Sequence, residues 1–179
     1  MNKGHSMKLL SLSLLTLLFT GCAIDSQNKP MQKEQHSAPV AMFQTVDEKK
    51  AILLQDGKDH KYCVRCGMDL VKFYKTSHAA EHDAKQHQYC SIHCLEDHLG
   101  EGVTLKNPQV VAVDTLKFIS VVDAFYVVGS KKKGTMSKVS KYAFSSLEEA
   151  KKFQAEFGGE IMSFSGASKK AKEDFQYYK

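Results

Sequence analysis

Apolar and polar blocks alternate sharply along this chain. Lys3 and Lys8 precede an apolar run from Leu9 to Phe19, broken by Ser11, Ser13 and Thr16. Its roughly eleven residues, at about 1.5 Å each, reach about halfway across a bilayer core, which suits the apolar stretch of a signal peptide and not a transmembrane helix. Residues 23–41 are polar, carry Pro30 and Pro39, and show no periodicity, so they read as a flexible tether. Apolar clusters return from Met42 to Gln55, and Asp56-Gly57 marks a turn. Tyr62-Cys63 and Val71 to Tyr74 look extended. Thr76 to Ala80 and Gln86 to Cys90 read as strands paired across Asp83-Ala84-Lys85. Ser91 is placed to cap a helix whose stripe is Ile92, Leu95 and Leu99, closed by Gly100.

The second half is more regular. Phe118 to Val122, Ala124 to Val128 and Tyr142 to Phe144 read as strands. Ser145 with Glu148, or Ser146 with Glu149, offers a capping box for a helix with the stripe Leu147, Ala150, Phe153 and Phe157. Gly158-Gly159 stops it, Ile161 to Phe164 returns as a strand, and residues 169–179 form a short surface helix. A strand, then Ser, then a short helix occurs in both halves. The expected class is therefore α+β: two small, related β-rich modules, each with one packed helix in a ββα-type arrangement, after a tether. The boundaries are 1–21 for the signal peptide, 22–41 for a lipidated cysteine and tether, 42–115 for a Cys/His-rich module and 116–179 for a second module.

Removing the signal from the 179-residue chain leaves about 158 residues, enough for one compact domain or two small ones sharing an interface. The signal ends in Phe19-Thr20-Gly21-Cys22, which resembles a bacterial lipobox with Phe in place of the commoner Leu. Cleavage before Cys22 and lipid on that cysteine would anchor the protein at the periplasmic face of the cell envelope, at the outer membrane. The formal charge of +5 falls to about +3 once Lys3 and Lys8 leave, too mild to argue for nucleic acid. Lys131-Lys132-Lys133 reads as a solvated turn. No G-x-S-x-G, H-E-x-x-H or phosphate-loop pattern is present, so nothing points to an enzyme.

Chemistry concentrates between residues 60 and 98. Cys63 and Cys66 stand as C-x2-C, Cys90 and Cys94 as C-x3-C, Met68 follows Cys66 by two, and histidines occupy 60, 78, 82, 87, 93 and 98. Gly67 would free the backbone of a knuckle so that both of its sulfurs face one ion. Cys94 would sit in the first turn of a helix, where the dipole favours thiolate, with Cys90 just ahead of the cap. His93 and His98 ride the same helix and are the better imidazole candidates. Three readings stay open: two disulfides, a structural zinc site, or a site for a thiophilic ion, foremost Cu(I), since thiolate, thioether and imidazole form a soft set. A thiol-disulfide oxidoreductase using Cys63 and Cys66 is the catalytic rival. In that class C-x-x-C opens a helix, whereas Gly67-Met68-Asp69 reads as a turn.

At Cys66-Gly-Met68, Ala124-Phe-Tyr-Val-Val-Gly-Ser130 and Gly134-Thr-Met136 the chain resembles the NosL family of copper-binding lipoproteins. The similarity continues through Ala143-Phe-Ser145, Glu149-Ala150, Phe153 and Gly158-Gly159. The resemblance implies two small α+β modules, Cu(I) binding, and delivery of copper to nitrous oxide reductase through a membrane assembly complex. It makes Cys66, Met68 and Met136 site candidates, with Cys22 a further one when unlipidated. Cys63 and the Tyr89-Cys90-Ser-Ile-His-Cys94 segment depart from that pattern. They look like the cysteines of TRASH-type metal-binding modules, which leaves a zinc- or copper-binding resistance lipoprotein as the alternative.

Overall fold

Seven short strands, several of them buried at one end and exposed at the other, build two antiparallel sheets in a computed structural model that describes residues 42–176. The expected signal peptide, Cys22 and tether lie outside the described residues, as do residues 177–179. The first sheet holds β1 (His78–His82), β2 (Lys85–Tyr89), β3 (Lys106–Val111) and β4 (Phe118–Ser120) in the order β2-β1-β3-β4. The second holds β5 (Phe125–Val128), β6 (Lys141–Phe144) and β7 (Glu160–Met162) in the order β6-β5-β7. The helices are α1 (Ile92–Leu99), α2 (Leu147–Phe157) and α3 (Phe164–Gln176). Among the described residues no helix is long and apolar enough to cross a membrane.

The α+β class holds. Several elements differ from the reading by sequence. Tyr74–Thr76 is a 3-10 turn, so β1 starts at His78. The β1–β2 connection has two residues and not three: Asp83 and Ala84 take φ 49 and 58, and His82 pairs with Lys85. Such positive φ values at both central residues match the twist of a hairpin. β3 was not expected, because Pro108 stands within it. The ladder to β1 slips there, from Ala79↔Gln109 to Glu81↔Lys106, and proline is tolerated at such a bulge. β4 pairs with β3 (Val110↔Ile119), so the 115/116 boundary falls in the turn between two strands of one sheet.

Both faces of the second sheet are covered. Val127, Tyr142 and Phe144 pack against Ala150 and Phe153 of α2, with Phe43 closing the edge at 5.1 Å from the Tyr142 ring. Tyr126, Val128 and Ala143 face the other way, onto Ile92 of α1, Val110 of β3, and Ala167 and Ala171 of α3. α3 thus starts at Phe164, earlier than expected, and is a core element and not a surface one. Ser146 is the residue that caps α2, accepting from the Glu149 N–H at 3.2 Å, and the Glu149 side chain turns to Lys152. Ser91 occupies the cap position of α1, but its hydroxyl makes no capping bond.

Candidate metal centre

The knuckle is a small hairpin. The Cys63 N–H donates to the Met68 carbonyl at 2.8 Å and the Gly67 N–H to the Cys63 carbonyl at 2.9 Å, with Gly67 at φ 71. That left-handed turn brings Cys63 and Cys66 to the same side. The Val64 N–H donates to the Gln88 carbonyl, tying the knuckle to the free edge of β2. Cys90 follows the last residue of β2, and Cys94 lies in the first turn of α1. The Val64–Gln88 bond thus sets the knuckle beside Cys90, and the extended cap residue Ser91 leads on into the helix that carries Cys94.

The four sulfurs lie within 4.8 Å of one another. Cys66 to Cys90 is 3.4 Å and Cys90 to Cys94 is 3.8 Å. Sulfurs held at about 2.3 Å around one ion at tetrahedral angles stand about 3.8 Å apart, so the cage has the size of an ion. All four cysteines are free thiols, too far apart for a disulfide at about 2.05 Å. Cys63, Cys90 and Cys94 are buried, and Cys66 is exposed.

The thiols share protons unevenly. Donation from Cys90 and then Cys94 stabilises the Cys63 thiolate and drives its pKa far down. Cys90 and Cys94 are driven up, first by that donation to Cys63. An ion entering the cage would displace the protons that Cys90 and Cys94 hold.

The other candidates divide. Met68 belongs to the cluster, its Sδ 3.7 Å from Cys90 Sγ and its side chain packed against the buried cysteines. His98, one turn beyond Cys94, is buried with Nδ1 2.8 Å from Tyr89 Oη. His93 sits on the opposite side of α1 among α3 and β6, with Nε2 3.7 Å from Asp174 Oδ2, and burial followed by Lys141 lowers its pKa to about 4. Met136 is 42% exposed in the β5–β6 loop at φ 60 and is not among the side chains packed on the cysteines. Its neighbour Thr135 reaches the centre from behind: Thr135 Oγ1 lies 2.7 Å from Thr76 Oγ1, which donates to the Cys90 carbonyl at 2.8 Å.

Sequence reasoning missed Arg65. From inside the C-x2-C it donates to Asp97 at 2.8 and 3.0 Å and to Glu101 at 2.5 and 3.2 Å, clamping the knuckle to α1. Asp97 lies in the last turn of α1 and Glu101 just past its C-cap Gly100, and two acids four apart with a basic residue in the knuckle were the available signal.

The NosL family model matches residues 55–171. Among solved structures, the crystal structure of the copper chaperone NosL from Shewanella denitrificans is similar in fold. Its TM-score is 0.50 at 22% sequence identity, covering 65% of this chain and 94% of that one. No curated protein matches the chain.

Proposed function

The chain belongs to the NosL family, and from that premise we propose that it is a copper carrier and not an enzyme, binding Cu(I) in the cysteine cage. On this reading lipid on Cys22 holds it at the periplasmic face of the outer membrane. From there residues 23–41 give it the reach to hand copper to nitrous oxide reductase through that enzyme's membrane assembly complex.

The observation that carries the proposal is the asymmetry of the cage. Three sulfurs are buried, while Cys66 is exposed on a surface hairpin. A thiolate or thioether of an acceptor can approach on that side and replace one sulfur at a time, with no change in oxidation state. The Met68 sulfur beside Cys90 supports a soft ion, because thioethers favour Cu(I) and are not structural zinc ligands. A second reading has its own support: a four-cysteine set joining a knuckle to a helix is also the ligand type of structural zinc.

Competition decides between them. The reduced protein is titrated with Cu(I) and with Zn(II) against chelators of known affinity, and its melting temperature is followed as the ion is stripped. Cu(I) binding at least a thousandfold tighter than Zn(II), with a fold that survives stripping, is the expected result. Tight zinc, weak Cu(I), and unfolding on zinc removal would establish the structural reading instead.

A further inference from the structure

Beside the sulfur cage lies a second group of ligand side chains. His82 ends β1, His87 lies on β2, and His98 lies on the last turn of α1. Because Ala80 pairs with His87 and His82 with Lys85, His82 and His87 are diagonal neighbours on one face of the hairpin. α1 lays His98 against that face. The ring centres are 5.1 Å apart for His82 and His98, 5.6 Å for His87 and His98, and 5.7 Å for His82 and His87. Imidazoles ligating one ion at about 2.0–2.1 Å place their ring centres about 5.2–5.5 Å apart at tetrahedral to trigonal angles. The trio has the spacing of ligands around one ion.

From this we infer that His82, His87 and His98, with the Asp83 carboxylate, form a second metal site for a borderline divalent ion such as Zn(II) or Cu(II), separate from the cysteine cage. Ligand orientation supports it. His98 Nδ1 is 2.8 Å from Tyr89 Oη and His82 Nδ1 is 3.3 Å from the Thr104 carbonyl. In both of these rings Nδ1 is the nitrogen engaged by an oxygen, as is typical of metal-bound histidine. His82 Nε2 lies 3.4 Å from Asp83 Oδ2, so a carboxylate stands beside one of the three rings.

Asp83 and Ala84 hold positive φ without a glycine, a cost that this hairpin bears while setting Asp83 beside His82. The cysteines are the group of described residues whose ligand atoms all lie within 4.8 Å. The imidazole nitrogens stand farther apart than that, so on this proposal an ion gathers them by turning the rings about χ2, a soft torsion. A surface groove of about 890 Å³ on the knuckle side is lined by Cys63, Gly67 and, of the proposed ligands, His87. Nitrogen and carboxylate donors select borderline ions, whereas the sulfur cage selects soft ones, so the two sites sort ions by softness.

Co(II) titration of the reduced, intact protein separates the sites. Binding to thiolates gives an intense near-ultraviolet charge-transfer band, and binding to imidazole and carboxylate gives weak visible bands alone. The expected result is a second equivalent of Co(II) that adds no thiolate band. In the variant His82→Gln with His87→Gln that equivalent is lost and the thiolate band is unchanged. A single equivalent in the unaltered protein, or a second equivalent that survives the double substitution, would overturn the site. If the variant does not fold, the imidazole 15N resonances of the unaltered protein decide. Zn(II) added after the cage is filled must shift all three rings, and no shift overturns the proposal. The readout does not involve copper, so its outcome is independent of the Cu(I)/Zn(II) competition that tests the carrier reading.

Discussion

Asp174→Asn tests whether α3 is a core element that fixes the helix bearing Cys94. Lys141 Nζ donates to Asp174 Oδ2 at 2.5 Å, with the two side chains 2% and 17% exposed. Ser137 Oγ donates to the same carboxylate at 2.8 Å. Asparagine keeps the shape and an acceptor but leaves the Lys141 ammonium buried without a counter-charge. Breaking a buried pair from one side costs about 3–5 kcal/mol. The retained hydrogen bonds, and the Val139 carbonyl that Lys141 also reaches at 2.9 Å, put the expected cost at the lower end, about 3 kcal/mol. For a domain of this size that is a fall of about 6–12 °C in melting temperature.

The pH profile supplies an independent check. Burial alone would raise the Asp174 carboxyl, but Lys141 and Ser137 outweigh it and hold its pKa below the ordinary 3.8. A depressed carboxyl stabilises fully above its unfolded pKa of about 3.9 and loses that contribution as pH falls through the lower folded value. The gap between the two proteins should therefore be constant from pH 7 to about 5 and close below about pH 4. Thermal melts by circular dichroism measure it. A gap under about 2 °C at pH 7, or one that does not change in acid, would refute the argument that α3 is pinned by this pair. Replacing both partners, Lys141→Met with Asp174→Leu, should recover most of the loss.

Met68→Leu preserves volume and should cost under about 1.5 kcal/mol of stability while weakening Cu(I) in chelator competition, with Cys66→Ser weakening it further. Unchanged affinity in Met68→Leu would remove the thioether from the site. Gly159 sits at φ 99, and a Cβ there would lie 2.8 Å from the Val128 carbonyl, so Gly159→Ala should destabilise by about 2 kcal/mol or more in urea unfolding. Cys22→Ala should move the protein from the membrane pellet to the soluble fraction, and its persistence in the pellet after a carbonate wash would contradict the lipid anchor.

What could be read from the sequence follows from what is local. The C-x2-C and C-x3-C spacings, Met68 and the cap at Ser91 are set within a few residues, and the four cysteines do meet. α2 was legible because its stripe is large and apolar. The start and the buried face of α3 were not, because that face is Ala167 and Ala171, whose small size lets it approach α1 and leaves no hydrophobic signal. β3 was hidden by Pro108, acceptable only because β1 slips register against it. The histidines turned on register. A three-residue turn would have placed His87 on the other face, and the two-residue turn at Asp83-Ala84 puts it beside His82. Likewise His93 and His98 share a helix, yet only the one four residues from Cys94 shares its side.

The cage is not equally firm on all sides, and this bears on how an ion would leave. Cys90 is fixed by the end of β2 and by the Thr76 hydroxyl on its carbonyl, and Cys94 by a helix packed against α3. The knuckle is held differently, by a few backbone bonds and by Arg65, whose partners Asp97 and Glu101 are about half exposed. Exposed ion pairs contribute about 0.2–1 kcal/mol each and weaken with salt, so the compliant wall is the one carrying Cys63 and Cys66. An acceptor with an acidic surface could take over Arg65, loosen the clamp and expose the Cys66 side, whereas the buried pair keeps its geometry. For the carrier proposed above, ligand exchange would therefore begin at Cys66 and end at Cys90 and Cys94, the pair that takes up protons as an ion departs.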